Sequence, residues 1–238
     1  TISSMPSGVL TALVTFWREM QNLSLFIKSV ICLVFLFLFQ TSAYAQNSVS
    51  KILILGDSLS AAHNIAIDES WPALLKHNVG VRFPHTRVVN ASISGETTFG
   101  GVSRLSSLLA KHKPSHLIVE LGGNDGLQGL NFEQTTANLN RMLSMANEQN
   151  TATMMIGVRM PPNLGDAYNR RFQAVYESVA GQNDTYYLPT FLKGVAASDP
   201  ALMQSDGIHP TALAQPMLAK KVFDALIEMV STQVGADQ

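Results

Sequence analysis

Cysteine is almost absent: one residue, Cys32, in 238. A disulfide framework and a thiolate zinc site are both excluded on that count. Charge is sparse as well, at 14% of residues with a formal net of −1. A nucleic-acid binder carries a basic face, and nothing here supplies one. Tryptophan is limited to Trp17 and Trp71, which leaves no evident aromatic platform for a sugar chain. Histidines and carboxylates do not cluster along the chain in a ligating pattern, so no metal is expected. No apolar run reaches the roughly 20 residues that a membrane-crossing helix needs. Repeats, low-complexity segments and charge blocks are missing too. What remains has ordinary globular composition and the length of one domain.

The N-terminus stands apart. Lys28 is followed by the uncharged apolar run 29–39 (SVICLVFLFLF), a short polar stretch and Ala43-Tyr44-Ala45. A basic residue, an apolar segment of about ten residues and an A-x-A site read as a secretory signal peptide. Cleavage after Ala45 is expected to release one domain, residues 46–238, into the periplasm. Cys32 sits near the start of the apolar run, where it is not placed for lipid attachment, and leaves with the signal. The chain opens at Thr1; Met20 is the expected start, with residues 1–19 upstream. The rival reading keeps residues 23–39 as an uncleaved anchor. Removing Glu19, Arg18 and Lys28 from totals of 17 acidic and 16 basic residues leaves 16 against 14, close to neutral. A soluble, exported monomer without a membrane anchor is the expectation.

Beyond residue 50, short apolar runs alternate with longer amphipathic ones. Lys51–Gly56 (KILILG) is a run of β-formers ending at glycine, as in a buried parallel strand. Residues 87–90, 116–121, 153–158 and 186–188 read the same way. Helices are predicted over 70–77, 98–111, 132–149, 167–180 and 211–230. In the fourth, Phe172, Val175, Tyr176 and Val179 recur at helical spacing and define a sheet-facing side. Pro72 falls in the first turn of its helix, where a missing N–H is harmless, and Pro114 marks the end of another. This alternation predicts an α/β fold, a three-layer α/β/α sandwich with a mainly parallel five-stranded sheet. Ligands in such sheets bind beyond the carboxyl ends of the strands, which directs attention to segments 56–60, 91–98, 122–129 and 159–166.

Unusual residues fall there. Gly56-Asp57-Ser58 puts a hydroxyl just past a strand end. By itself that is as compatible with a helix N-cap as with a nucleophile. A hydroxyl needs a base to take its proton, and the base needs a partner to fix its tautomer. Asp206-Gly207-Ile208-His209 offers both on one short turn. The other five histidines, His63, His77, His85, His112 and His116, lack a loop carboxylate at that spacing and read as surface or packing residues. Ser94-Gly95-Glu96 and Gly122-Gly123-Asn124-Asp125 are each ordinary turns in isolation. They also suit acyl transfer: Gly95 admits close backbone approach, and Asn124 carries an amide donor. Ser48-Val49-Ser50-Lys51 fits the S-x-x-K pattern, but no S-D-N or K-T-G follows it. A G-x-S-x-G elbow is absent as well.

Taken in order, G-D-S, S-G-E, G-G-N-D and D-G-I-H resemble the four blocks of the SGNH (GDSL) hydrolase family. The stretches ILILGDSLSA (52–61), VVNASISGET (88–97), LIVELGGNDGL (117–127) and DGIHP (206–210) look like its bacterial periplasmic subgroup of acyl-thioesterases, arylesterases and lysophospholipases. Trp71–Leu75 and RMPPNLG (159–165) extend the likeness over nearly the whole chain beyond residue 45. The resemblance implies Ser58 as nucleophile, His209 as base and Asp206 as its orienting partner. It implies an oxyanion hole from the Ser58 and Gly95 N–H groups and the Asn124 side chain. Asp57 is expected to support the nucleophile turn. Leu127, Leu130, Met160 and Pro162 are expected to line an acyl pocket. The expected substrate is a small acyl ester, thioester or lipid, and no cofactor is implied. A polysaccharide deacetylase and a non-catalytic lipid- or glycan-binding protein of the same fold are the alternatives.

Overall fold

The computed structural model describes residues 15, 18, 51–189, 191–195 and 199–236, with side chains to 232. Thr1–Ser48 and Val49–Gln238 are two compact units, and the second carries the fold described below. The expected signal segment, 1–45, lies outside the described residues save for two positions. Among the described residues no helix is long and apolar enough to cross a membrane.

Five strands form one sheet: β1 Lys51–Gly56, β2 Arg87–Asn90, β3 His116–Glu120, β4 Ala152–Ile156 and β5 Tyr186–Leu188. All neighbours pair in parallel in the order β2-β1-β3-β4-β5. β1 is an inner strand, and Ile52, Leu53, Ile54 and Leu55 are wholly buried because both of its faces are covered. The connections are helical: α1 Trp71–Arg82, α2 Thr98–His112, α3 Gly123–Leu127, α4 Phe132–Asn147, α5 Asp166–Gln182 and α6 Gln215–Ala236. Parallel crossovers are right-handed. The step from β1 to β2 runs opposite to the later steps, so α1 lies on one face and α2, α4 and α5 on the other. α6 follows β5 and packs against α1, which completes the three layers.

This order has a switch point. From β1 the chain moves outwards to β2, then returns to β3 on the other side of β1. Between the carboxyl ends of β1 and β3 the connections diverge and leave a crevice. The segments that open onto it are 57–60 and 121–125.

Element ends differ from the sequence expectation by a few residues, with three larger differences, the first being α6, which starts at Gln215 rather than 211 and runs to Ala236 rather than 230. α1 runs on to Arg82, past Gly80, because Val79 is buried and tertiary packing overrides the glycine penalty. Residues 123–127 form a one-turn helix where a plain turn is predicted. α3 packs closely on its surroundings: a Cβ at Gly126 would lie 2.5 Å from Met160 Sδ and 2.9 Å from the Phe172 ring.

Trp71, at the start of α1, is the largest fully buried side chain. Its ring packs edge-on to Phe191 at 5.7 Å, and its indole N–H donates to the Leu59 carbonyl at 3.1 Å. It therefore ties the helix layer to the turn that carries Ser58. Trp71→Ala should lower stability by about 3–5 kcal/mol, the usual loss for deleting a large buried aromatic. Urea denaturation measures this; a loss under about 1 kcal/mol would mean the site collapses or that Trp71 is not the anchor described.

Candidate active site

Asp57, Ser58 and Leu59 leave β1 in a tight turn in which Ser60 and Ala61 N–H donate to the Asp57 carbonyl at 3.2 and 2.9 Å. Asp57 braces the turn from inside, since its Oδ1 accepts the Leu59 N–H at 3.0 Å. Ser58 is left facing the crevice, half-buried.

The second component comes from the other end of the chain. Asp206 Oδ1 accepts the N–H groups of Ile208 and His209 at 2.9 and 3.0 Å, folding 206–209 into a closed turn. That turn presents the His209 ring beside its own carboxylate. Desolvation pulls the Asp206 carboxyl upwards, but the bonds from the His209 N–H, the His209 ring and the Ile208 N–H outweigh it and bring it down to about 2. Asp206 is then an acceptor only. His209 Nδ1–H donates to its Oδ2 at 2.7 Å, which leaves Nε2 with a free lone pair. The Ser58 hydroxyl donates to that nitrogen at 2.8 Å.

The third component is Asn124 on α3. Its Nδ2 donates to Asp57 Oδ2 at 3.1 Å and to the Glu96 carbonyl at 2.9 Å. One amide thus spans the turn before Ser58 and the turn after Gly95. The next residue repeats the link. Buried Asp125 accepts the N–H and hydroxyl of Thr98 at 2.9 and 2.5 Å, holding the first turn of α2 against α3. Arg104 fastens the same loop, pairing with Glu96 and donating to the Ala91 carbonyl at 2.6 Å. Gly95 sits in that loop with φ +79°, a backbone angle glycine adopts without strain. The backbone N–H groups of Ser58 and Gly95 have no protein acceptor among the described residues. Four segments far apart in sequence converge on one hydroxyl.

Comparison with known proteins agrees with this convergence. Residues 54–215 match the GDSL-like lipase/acylhydrolase family. The chain belongs to this family. With it, the chain is a carboxylic ester hydrolase. It is 42% identical to esterase TesA of Pseudomonas aeruginosa over 181 residues, 76% of this chain and 90% of the relative. It is 38% identical to an arylesterase of Vibrio mimicus over 199 residues, 84% and 99% of the two chains. Thioesterase 1/protease 1/lysophospholipase L1 of Escherichia coli K12 is 41% identical over 184 residues, 77% and 86%. The crystal structure of TesA superposes with a TM-score of 0.73 at 42% identity, over 75% of this chain and 99% of that one.

Beside the GDSL serine lies a cavity of about 370 Å³. Leu127, Met160 and Pro162 line it, as the sequence predicts, together with Val158, Met203 and Ile208. Asn124 and Leu127 are three apart on α3 and share a helix face, which brings both to it. Leu130 does not line it, and that expectation is corrected. Gly129, at φ +67°, turns the chain away after α3 and leaves Leu130 exposed.

Further residues at the site went unread in the sequence. Glu120, fully buried at the end of β3, accepts the Ser60 hydroxyl at 2.7 Å. Burial and the adjacent Asp57 push its carboxyl well up. A carboxylate inside the apolar run HLIVEL was the available signal. Gln204 joins the two catalytic segments: its Nε2 donates to the carbonyls of His63 and Pro210 at 2.9 and 3.0 Å. His63, read as a surface or packing residue, stacks on His209 with ring centroids 4.1 Å apart. The expectation that histidines and carboxylates do not cluster is corrected, because the fold brings His63, Asp206 and His209 together.

Asp57 is only 2% exposed. Desolvation raises its carboxyl to about 6, against the Leu59 N–H bond and the pull of His209, with Asp125 adding to the rise. The folded protein therefore holds this proton more tightly than the unfolded chain, whose value is 3.8. The associated stability is complete below 3.8 and is lost as pH rises through about 6. Asp206 behaves oppositely: its contribution is present above 3.8 and is lost as pH falls towards about 2. Asp57→Asn should flatten the decline in stability between about pH 4 and 6.5. Urea midpoints across that range test it, and parallel curves for variant and wild type would refute the assignment.

Proposed function

We propose that this chain is a serine esterase that works through an acyl-enzyme on Ser58. The observation that carries the reading is the unbroken path from the Ser58 hydroxyl to His209 Nε2 and from Nδ1 to Asp206, at 2.8 and 2.7 Å. His209 Nε2 takes the Ser58 proton as Oγ attacks the acyl carbon. Asp206 stabilises the imidazolium and fixes the ring. Negative charge develops on the former carbonyl oxygen, where the Ser58 and Gly95 N–H groups are available to receive it. Asn124 is the third donor. Both its N–H groups are engaged, and the longer bond, to Asp57, is the one it shares with the oxyanion. The leaving alkoxide or thiolate departs with the proton from His209. Water then attacks the acyl-serine, gives its proton to His209, and the acid is released as Ser58 recovers its own.

The names of the relatives support aryl esters, acyl thioesters and lysophospholipids as the substrate range, and the apolar cavity suits their acyl chains. At about 370 Å³ it lies near the lower end of small-molecule sites, roughly 300–1,000 Å³, which favours short to medium chains. The segment 28–45 supports export with cleavage after Ala45. N-terminal sequencing of the secreted product should begin at Gln46; a product retaining residues 23–39 would favour the anchor reading.

Hydrolysis of p-nitrophenyl esters across acyl lengths tests the function. Ser58→Ala should abolish turnover with the fold intact, and Asn124→Ala should lower kcat by about 10²–10³-fold. Turnover persisting in Ser58→Ala, or none from folded wild type at any length, would overturn the proposal.

A further inference from the structure

Residues 61–65 form part of the turn that follows Ser58, and their geometry is unusual. Ala62 and Asn64 both hold left-handed backbone angles, φ 59° and 55°, which non-glycine residues adopt at a penalty. Such outliers persist only where surrounding structure enforces them. Here Gln204 enforces them: its Nε2 donates to the His63 carbonyl at 2.9 Å, and its Oε1 accepts from Asn64 Nδ2 at 3.4 Å. The residue locked between the two outliers is His63. Its ring lies over His209, with centroids 4.1 Å apart and planes inclined by 31°. Neither ring nitrogen of His63 has a hydrogen-bond partner among the described residues. One ligand atom each from His63, Asp206 and His209 lies within 4.8 Å of the others, on a partly exposed surface.

We propose that His63, Asp206 and His209 form an inhibitory site for a borderline-soft divalent cation, zinc being the natural probe. Two imidazoles and a carboxylate are a ligand set that zinc takes readily, with water or the Ser58 hydroxyl in the fourth position. Zinc–ligand bonds of about 2.0–2.2 Å in a tetrahedron place ligand atoms roughly 3.4 Å apart, so the cluster closes by a shift of about an ångström. Magnesium, which prefers octahedral oxygen ligands, is excluded by the same chemistry. Binding on His209 Nδ1 displaces the proton shared with Asp206 and leaves Nε2 protonated. Binding on Nε2 occupies the lone pair itself. On either nitrogen, Ser58 loses its base. A reversible brake is thus built from two residues of the reaction machinery and one residue, His63, with no part in it.

The inhibitory consequence rests on the roles given to Ser58 and His209; the binding does not, so the two are tested apart. Cobalt(II), a spectroscopic stand-in for zinc, is added to the full-length Ser58→Ala protein. A tetrahedral visible absorption band should appear, disappear on adding zinc, and be absent in the Ser58→Ala/His63→Gln double variant. Ester hydrolysis is then followed with zinc in wild type and in His63→Gln, each normalised to its own metal-free rate. Wild type should be inhibited at a zinc concentration at least tenfold lower, be restored by a chelator, and ignore magnesium. Equal zinc sensitivity in the two proteins, or a cobalt band that survives loss of His63, overturns the site. Loss of ester hydrolysis altogether would strike the proposed function and leave the cobalt result to decide this inference.

Discussion

The bond from the Ser58 hydroxyl to His209 joins residues 151 apart, and the rest of the structure serves to make that one contact dependable. Neither partner is held by its own segment alone. Ser58 sits on a turn pinned from three sides: by Asp57 within it, by Glu120 through Ser60, and by Trp71 through the Leu59 carbonyl. His209 sits on a turn that Asp206 closes, and its carbonyl accepts the Gln204 backbone N–H at 2.8 Å. Two glutamines link the halves. Gln204 reaches from the His209 segment to the His63 carbonyl, and Gln215, at the head of α6, accepts the Trp71 N–H at 2.9 Å. The site is thereby referred to α1 and α6, which pack together. A hydrogen bond contributes only about 1 kcal/mol net, so no single link sets the geometry. Their closure into a ring does.

The arrangement places unusual charge under the site. Asp57 and Glu120 are both buried, and Asp57 raises the proton affinity of Glu120 beyond what burial alone does. Such a pair opposes folding at neutral pH unless one member stays protonated. Glu120 is fully buried and pushed well up, and a neutral carboxyl is tolerable at a strand end where, among the described residues, its hydrogen-bond donors are the Ser60 hydroxyl and the Asp57 N–H. Asp57, nearer the surface, is then free to ionise. Its charge interacts favourably with His209, so the buried pair, unfavourable for the fold, places negative charge near the histidine of the site, as expected of an active-site feature.

The three inner strands were legible in the sequence because burial on both faces writes itself as unbroken apolar runs, and the partly exposed edge strands β2 and β5 were legible as shorter runs of β-formers where they occur. The polar clusters after the runs were legible for a second reason: open α/β sheets concentrate ligand groups at one edge. Side chains that act through space rather than along the chain were not legible. His63 lies five residues beyond Ser58 and on no recognisable pattern, yet the turn delivers it to a histidine near the other terminus. Leu130 shows the converse error. It is apolar, close to Asn124 in sequence and well suited to an acyl pocket, but one left-handed glycine turns it outwards. Glu120 was hidden by its own context, an acidic residue inside a run counted as core.

Chemistry and selectivity are separated in this fold. The polar groups of the site come from the ends of β1 and β3, from the 95–98 loop and from the 206–209 turn, the first three tied to one another by Asn124 and Asp125. The cavity wall comes largely from elsewhere: Val158 to Pro162 after β4, and Met203 and Ile208 in the segment leading to His209. The 158–162 loop attaches to the framework by packing, Met160 against the glycine face of α3, whereas Ile208 lies in the His209 turn itself and donates its N–H to Asp206. Substitutions at Met160 and Pro162 should change the volume and shape of the cavity without removing a hydrogen bond to Ser58, His209 or Asn124. That independence accounts for how one catalytic framework is compatible with relatives named for aryl esters, thioesters and lysophospholipids.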